Sequence, residues 1–175
     1  MRKPIVAVLM ALALAVLLRP ELRRYSAERD LGAANAAFEY VLGRPSDLSN
    51  APDVLLRVSE RAAGAAPRLP GDSRGWVLAG SCQLVAGRTD RAREFYRRAL
   101  ATGERAEIHL NLGRAEALLR RPEVAQAAFV RSIWISPALL RAVPPGFADP
   151  ASVEIARLEQ ALRAGRLTAP PPIPE

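Results

Sequence analysis

The sequence predicts an all-α chain, a short right-handed solenoid of antiparallel helix pairs led by an N-terminal membrane helix. Three observations carry that expectation. Residues 76–137 repeat at a spacing of 33: Trp76 returns as His109, Gly80 as Gly113, Ala92 as Ala125, Tyr96 as Phe129 and Ala99 as Ser132. A fixed period in the thirties marks stacked helical hairpins. Apolar positions recur at helical spacing between Gly and Pro punctuation, and no alternating strand pattern occurs. Half of the residues are hydrophobic but only 5% are aromatic, so alanine and leucine must do the packing.

Residues 1–19 read as the membrane anchor. A basic start, Met1-Arg2-Lys3, precedes the uncharged run Ile5–Leu18. That order fits either a cleaved secretory signal or a retained anchor. Small residues suited to cleavage (Ala11, Ala13, Ala15) lie inside the run, and a charged stop follows it at Arg19, Glu21, Arg23 and Arg24. The expectation is therefore an anchor, with Ile5, Val6, Val8, Leu9, Leu12, Leu14, Leu17 and Leu18 meeting lipid. As a helix the run spans ~21 Å against a ~30 Å hydrocarbon core, a gap that flanking Arg2, Lys3 and Arg19 narrow by snorkelling. Counting positive charges favours a cytoplasmic body. The signal-like order favours a periplasmic body on the inner membrane, which is the expectation adopted.

Residues 20–72 read as a helix pair with a long loop. Pro20 suits a helix start, and Leu22, Tyr25, Leu31, Ala34, Phe38 and Val41 continue a helix to Gly43. Arg44–Pro52 is a polar loop in which Ser49 or Asn50 caps the next helix. Val54, Leu55, Val58, Ala62 and Ala65 form its apolar face, and Gly64 and Pro67 end it. Residues 73–138 hold four helices: from Asp72 or Ser73 to Gly87, from a Thr89 cap to Ala101, over 105–119, and over 122–135. Ser136-Pro137 opens a short helical turn to Ala142. Residues 139–165 close the array with a helix from Asp149-Pro150, placing Val153, Ala156, Leu158 and Leu162 toward the body. Residues 166–175 are a Pro-rich extended tail.

These residues resemble the tetratricopeptide repeat (TPR) family. That family pairs two helices in about 34 residues, with Trp then Gly four later, and then Ala, an aromatic and a small residue in the second helix. Trp76, Gly80, Ala92, Tyr96 and Ala99 fit one unit; Gly113, Ala125, Phe129, Ser132 and Pro137 fit the next, with His109 departing from Trp. Val58, Ala62 and Ala65 give a fainter echo 34 residues earlier. The resemblance implies that Gly80, Gly113, Ala92 and Ala125 mark close helix approaches, and that Tyr96 and Phe129 fill the space between hairpins.

It also implies a binding site on the concave face made by the first helix of each pair. Arg74, Val77, Ser81, Leu84 and Val85 fall there, with Glu107, Leu110, Asn111, Arg114 and Leu118 from the next unit. The family's carboxylate-gripping version needs lysine and asparagine where this chain has Val77 and Ser81, so that clamp is absent. An apolar groove edged by Arg74 and Arg114 suits a helix or an extended segment of a partner.

The net charge of +7 divides unevenly. Up to Arg24 it is +4, and over the remainder +3. Arg88, Arg91, Arg93, Arg97 and Arg98, with Arg120 and Arg121, read as a solvated face, or as a contact for anionic lipid or an acidic partner. No aromatics interleave with them, so nucleic acid is not expected. Cys82, the single cysteine, reads as a small buried residue, and His109, the single histidine, as a packing residue. Glu104 and Glu107 favour the N-terminus of their helix. No catalytic, metal or cofactor motif stands out. The sequence therefore points to a non-catalytic, membrane-tethered scaffold that binds other protein subunits, an accessory or assembly subunit of a bacterial membrane complex such as a photosynthetic or respiratory one. The alternative is a free periplasmic adaptor or chaperone, released by signal cleavage, that binds client peptides.

Overall fold

A computed structural model describes residues 2–43, 51–167 and 169. Among them the chain is all-helical. Seven α-helices follow in order: α1 (Arg2–Leu42), α2 (Ala51–Ala65), α3 (Arg74–Val85), α4 (Thr89–Thr102), α5 (Ala106–Leu118), α6 (Pro122–Ile135) and α7 (Pro145–Arg163). Short 3-10 segments at Ala66–Arg68 and Pro137–Ala142 link α2 to α3 and α6 to α7. Each helix packs on the next in chain order, and α1 also meets α3, as α3 meets α5. No such approach joins α2 to α4 or α4 to α6 among the described residues. Helices α1, α3 and α5 thus lie in succession along one side, and among the described residues α7 makes no such approach to α5.

Glycine against an aromatic ring sets the spacing of two hairpins. A Cβ on Gly80 would lie 2.7 Å from Cε1 of Tyr96, and one on Gly113 would lie 2.6 Å from Cε1 of Phe129. Tyr96 and Phe129 are both fully buried. They sit against the glycine of their own hairpin while reaching the next helix: Tyr96 shares a cluster with Ile108 and Leu112 of α5, and Phe129 meets Phe147 of α7 with ring centroids 5.1 Å apart. Gly75 marks a third close approach: a Cβ there would lie 2.8 Å from Cβ of Ala66. Alanines at 27, 34, 62, 79, 92, 99, 115, 125 and 128 fill the remaining contacts. Interiors pack at crystal density, so such small residues let helix axes approach closely.

Three helices end in a left-handed residue that turns the chain back. Gly87 (φ 75°), Arg120 (φ 59°) and Gly165 (φ 67°) occupy that position. In each case the next N–H returns to a carbonyl five residues earlier: Arg88 to Gln83, Arg121 to Glu116 and Arg166 to Ala161. This double-bonded turn satisfies carbonyls that a helix end otherwise leaves open. Gly87 and Arg120 are one repeat apart, so the second unit holds arginine where glycine is the unstrained choice.

Several sequence expectations need correction. The expected anchor over 1–19 and helix over 20–42 are one helix, with Pro20 inside it. Val16 to Tyr25 are all exposed, so solvent can satisfy the carbonyl that proline's missing N–H leaves open. No helix among the described residues is long and apolar enough to cross a membrane, so the expected spanning anchor is not supported. Of its lipid-facing residues, Leu14, Leu17 and Leu18 are exposed. The side chains of Ile5, Val6, Val8, Leu9 and Leu12 lie outside the described residues, as do the Ser49 and Asn50 caps and most of the Pro-rich tail.

Further along, α2 passes Gly64 and ends at Ala65. Thr89 is the first helical residue of α4, with no side-chain cap preceding it. The last helix starts at Pro145, earlier than Asp149-Pro150, because Phe147 docks on Phe129. That register turns Val153 and Ala156 outward and leaves Leu162 half exposed, while Ala151 and Leu158 are buried.

Two substitutions test these local constraints in opposite directions. Gly113→Ala forces a methyl into the Phe129 ring and should destabilise the protein by about 1–3 kcal/mol. Arg120→Gly relieves the left-handed strain and should stabilise it by about 0.5–1 kcal/mol. Urea midpoints measured side by side check both signs.

Candidate binding groove

The structure forms a groove of about 530 Å³ between α1, α3 and the start of α5. Helix α1 supplies one wall with Glu28, Leu31, Gly32, Asn35, Phe38 and Glu39. Those positions recur every three to four residues and so share one helical face. Arg74, Val77, Leu78 and Ser81 of α3 form the opposite side, and Arg105, Glu107 and Ile108 close the end. Leu31, Leu78 and Ile108 are buried at the base, with Phe38 and Val77 half buried above them. The Ser81 hydroxyl lies 3.2 Å from the Tyr96 hydroxyl, so this polar atom is tied to the packing below.

Charge lines the rim. Arg74 bonds Glu28 at 2.9 Å across the groove and pairs also with Asp72, whose carboxyl Arg74 holds below the ordinary carboxylate range. Arg105 lies 3.8 Å from Glu107. Glu39 has no ion-pair partner among the described residues. The rim therefore carries three carboxylates and two guanidinium groups.

Of the residues expected on the binding face, Arg74, Val77, Ser81 and Glu107 line the groove. The rest do not. Leu110 is buried in the α5–α6–α7 core, and Leu84 packs against the Tyr96 cluster. Val85 and Leu118 are exposed beyond the groove's end. Arg114 donates to Asn111 at 3.2 Å and to the Ala142 carbonyl at 2.8 Å, fastening the 3-10 segment to α5. The α1 wall is not legible from the repeat because the residues between Gly43 and Ala51 take this helix out of the 33-residue register. The spacing of Leu31, Asn35 and Phe38 was the signal that could have found it.

A second polar assembly surrounds His109. Its Nε2 lies 2.8 Å from Glu104, and Arg131 grips the same carboxylate through two bonds of 2.6 and 2.7 Å. Arg131 holds the Glu104 carboxyl down to about 2, with help from His109 and against some burial. Burial pushes His109 below its ordinary value of 6.5, against the pull of Glu104. The neutral ring therefore donates Nε2–H to Glu104 and leaves a buried Nδ1 without a partner. In the preceding unit Trp76 stacks on Phe95 at 5.9 Å with Arg98 above it at 5.3 Å. Arg98 and Arg131 are thus repeat equivalents serving an aromatic and an imidazole respectively. Glu104 does more than favour a helix end: it ties α6 to α5.

Cys82 is fully buried, and burial pushes its thiol up to about 12. It is a packing group, protonated at neutral pH. No group of three or more His, Cys, Asp or Glu placed to hold a metal occurs among the described residues. No family model, curated protein or solved structure matches this chain.

The His109 cluster makes stability pH-dependent with a definite sign. An imidazole whose folded value lies below 6.5 stabilises fully above 6.5 and loses that contribution as pH falls through the folded value. Glu104 contributes above 4.5 and loses its share as pH falls toward about 2. His109→Phe should fold and should flatten the decline directly below pH 6.5 while leaving the acid limb. Thermal midpoints across pH 3–8 check this (roughly the span over which His and carboxylates titrate).

Proposed function

We propose that this protein is a non-catalytic, TPR-like scaffold that seats an apolar segment of a partner protein in the groove between α1, α3 and α5. The groove is the observation that carries the reading: an apolar base with a charged rim fits a chain that inserts side chains and aligns polar atoms above them. The excess of carboxylates on the rim, with Glu39 unpaired, favours a segment carrying a basic residue. The succession of α1, α3 and α5 and the repeated Gly80–Tyr96 and Gly113–Phe129 approaches support the helical-repeat assignment.

The projecting end of α1 extends this reading to location. Val16, Arg19 and Pro20 of α1 still share a hollow with Pro67, Arg68 and Leu69, so only the helix before Val16, ~21 Å long, reaches past the body. Met10, Leu14, Val16, Leu17, Leu18 and Leu22 are exposed along α1. In this reading that end attaches the scaffold to a bacterial membrane complex, with the helical body periplasmic. Exposed apolar surface of this extent marks an attachment site.

One variant separates binding from folding. Gly32 lines the groove, is exposed, and has nothing within 4 Å of an added Cβ. Gly32→Leu should raise stability by up to ~1 kcal/mol through helix propensity while filling the groove. Co-purification of the tagged full chain from membranes in mild detergent should recover a stoichiometric partner for the parent and little for Gly32→Leu. Equal recovery by both, or a parent protein recovered alone, would overturn the reading.

A further inference from the structure

We infer that the corner where α4 meets the α5–α6 turn is a docking site for an acidic segment of a partner protein, held by Arg97, Arg120 and Arg121 with buried Glu116 as the positioning residue. Two departures from the preceding repeat converge on this corner. The first is Glu116, which is fully buried and stands one repeat after Gln83. Gln83 is served through its nitrogen: Nε2 donates to Ser59 at 2.9 Å, and Ser59 donates to the Ala79 carbonyl, while Oε1 has no hydrogen bond. Glu116 has no hydrogen bond to either carboxylate oxygen, and Arg97 and Arg121 flank it at 3.8 Å each. A buried carboxylate destabilises unless charge opposes it. Replacing an amide bonded through its nitrogen by a carboxylate without hydrogen bonds therefore gains nothing for folding; what it does is hold one guanidinium group beside each oxygen.

The second departure is Arg120, in the left-handed conformation that Gly87 adopts one repeat earlier. Arginine is strained there, and strain kept at one position points to a use for its side chain. Arg120 is exposed and has no ion-pair partner among the described residues. Arg97 and Arg121 are each about half exposed, so their outer N–H groups face solvent. Beside Arg97 lies a hollow of about 370 Å³ walled by Arg93, Arg98 and Glu94. Glu94 is already engaged by Arg91 and Arg98, and Arg93 by Asp90.

Charge complementarity selects the occupant. The three arginines outweigh Glu116 by two charges, and their planar forks suit carboxylates in pairs. No exposed aromatic stands among them for a base to stack on. A run of Asp or Glu on a partner matches this surface. The site lies on the edge where α3 and α5 end, away from the groove's open side, and does not depend on the groove being occupied.

Fluorescence anisotropy of labelled hexaglutamate with the full chain tests the assignment. Saturable binding that weakens with added salt is expected. Arg97→Gln with Arg121→Gln should reduce affinity about tenfold, and Glu116→Gln, which copies Gln83, about threefold without lowering the melting temperature. Arg88→Gln, in the equivalent earlier turn, should change affinity less than about twofold. Should the double glutamine variant fail to fold, Arg97→Lys with Arg121→Lys keeps the charge, loses the fork and should still weaken binding. Absence of saturable binding overturns the proposal. So does an Arg88→Gln effect as large as the double variant's, since that means net charge alone. Tighter binding of inorganic phosphate or of phosphatidylglycerol vesicles than of hexaglutamate also overturns it, in favour of a phosphate ligand.

Discussion

Everything in this fold depends on how closely two helices can approach when one carries glycine and the other an aromatic ring. At Gly80 and Gly113 the rings of Tyr96 and Phe129 occupy the space a Cβ would take. The ring fills the hairpin and also reaches across to the next helix, so one side chain fixes both the width of a unit and its seat on the following unit. Burial pushes the Tyr96 hydroxyl up to about 12, and its contact with Ser81 gives it a partner at the groove wall. The groove is therefore a by-product of the packing: its α3 wall is the outer side of the helix that the ring positions.

This constraint is local in sequence, which is why so much of the architecture could be read in advance. Glycine four residues after Trp76, and an aromatic sixteen residues after that glycine, needed no long-range knowledge. The boundaries at Pro122 and Ile135 and the 3-10 segment ending at Ala142 followed from proline chemistry of the same local kind. What could not be read was set by contacts distant in sequence. Pro145 starts α7 early because Phe147 finds Phe129, which no spacing within residues 143–165 encodes. Pro20 looked like a helix start because proline breaks a helix only if the freed carbonyl has no other partner, and on an exposed segment it has water.

The site was half legible for a related reason. Repeat logic put Arg74, Val77, Ser81 and Glu107 on the concave face, and these four line the groove. Carried one turn further, it failed at Leu110, which repeats Val77 in register yet lies in the core. The cause is position within the stack. Val77 has α1 and α5 on either side and stays half open, whereas Leu110 lies against the closing elements, the 3-10 segment and α7, which cover it. Residues one sequence repeat apart are not equivalent in environment, because the elements beside them differ.

The same reasoning gives the departures from the repeat more weight than the matches. A match such as Gly80 with Gly113 is demanded by packing and says nothing of a partner. Departures that packing does not demand are informative. His109 in place of Trp76 is absorbed internally except at its buried Nδ1, because Glu104 and Arg131 rebuild with charge what Phe95 and Arg98 build with rings. Glu116 in place of Gln83 and Arg120 in place of Gly87 are not absorbed: one leaves buried oxygens without hydrogen bonds, the other keeps backbone strain. Both stand within five residues, at one turn, beside arginines with free outer faces. The contrast between that pair and His109, whose Nε2 and ring position are met within the fold, is what leads us to propose an outside group at this corner.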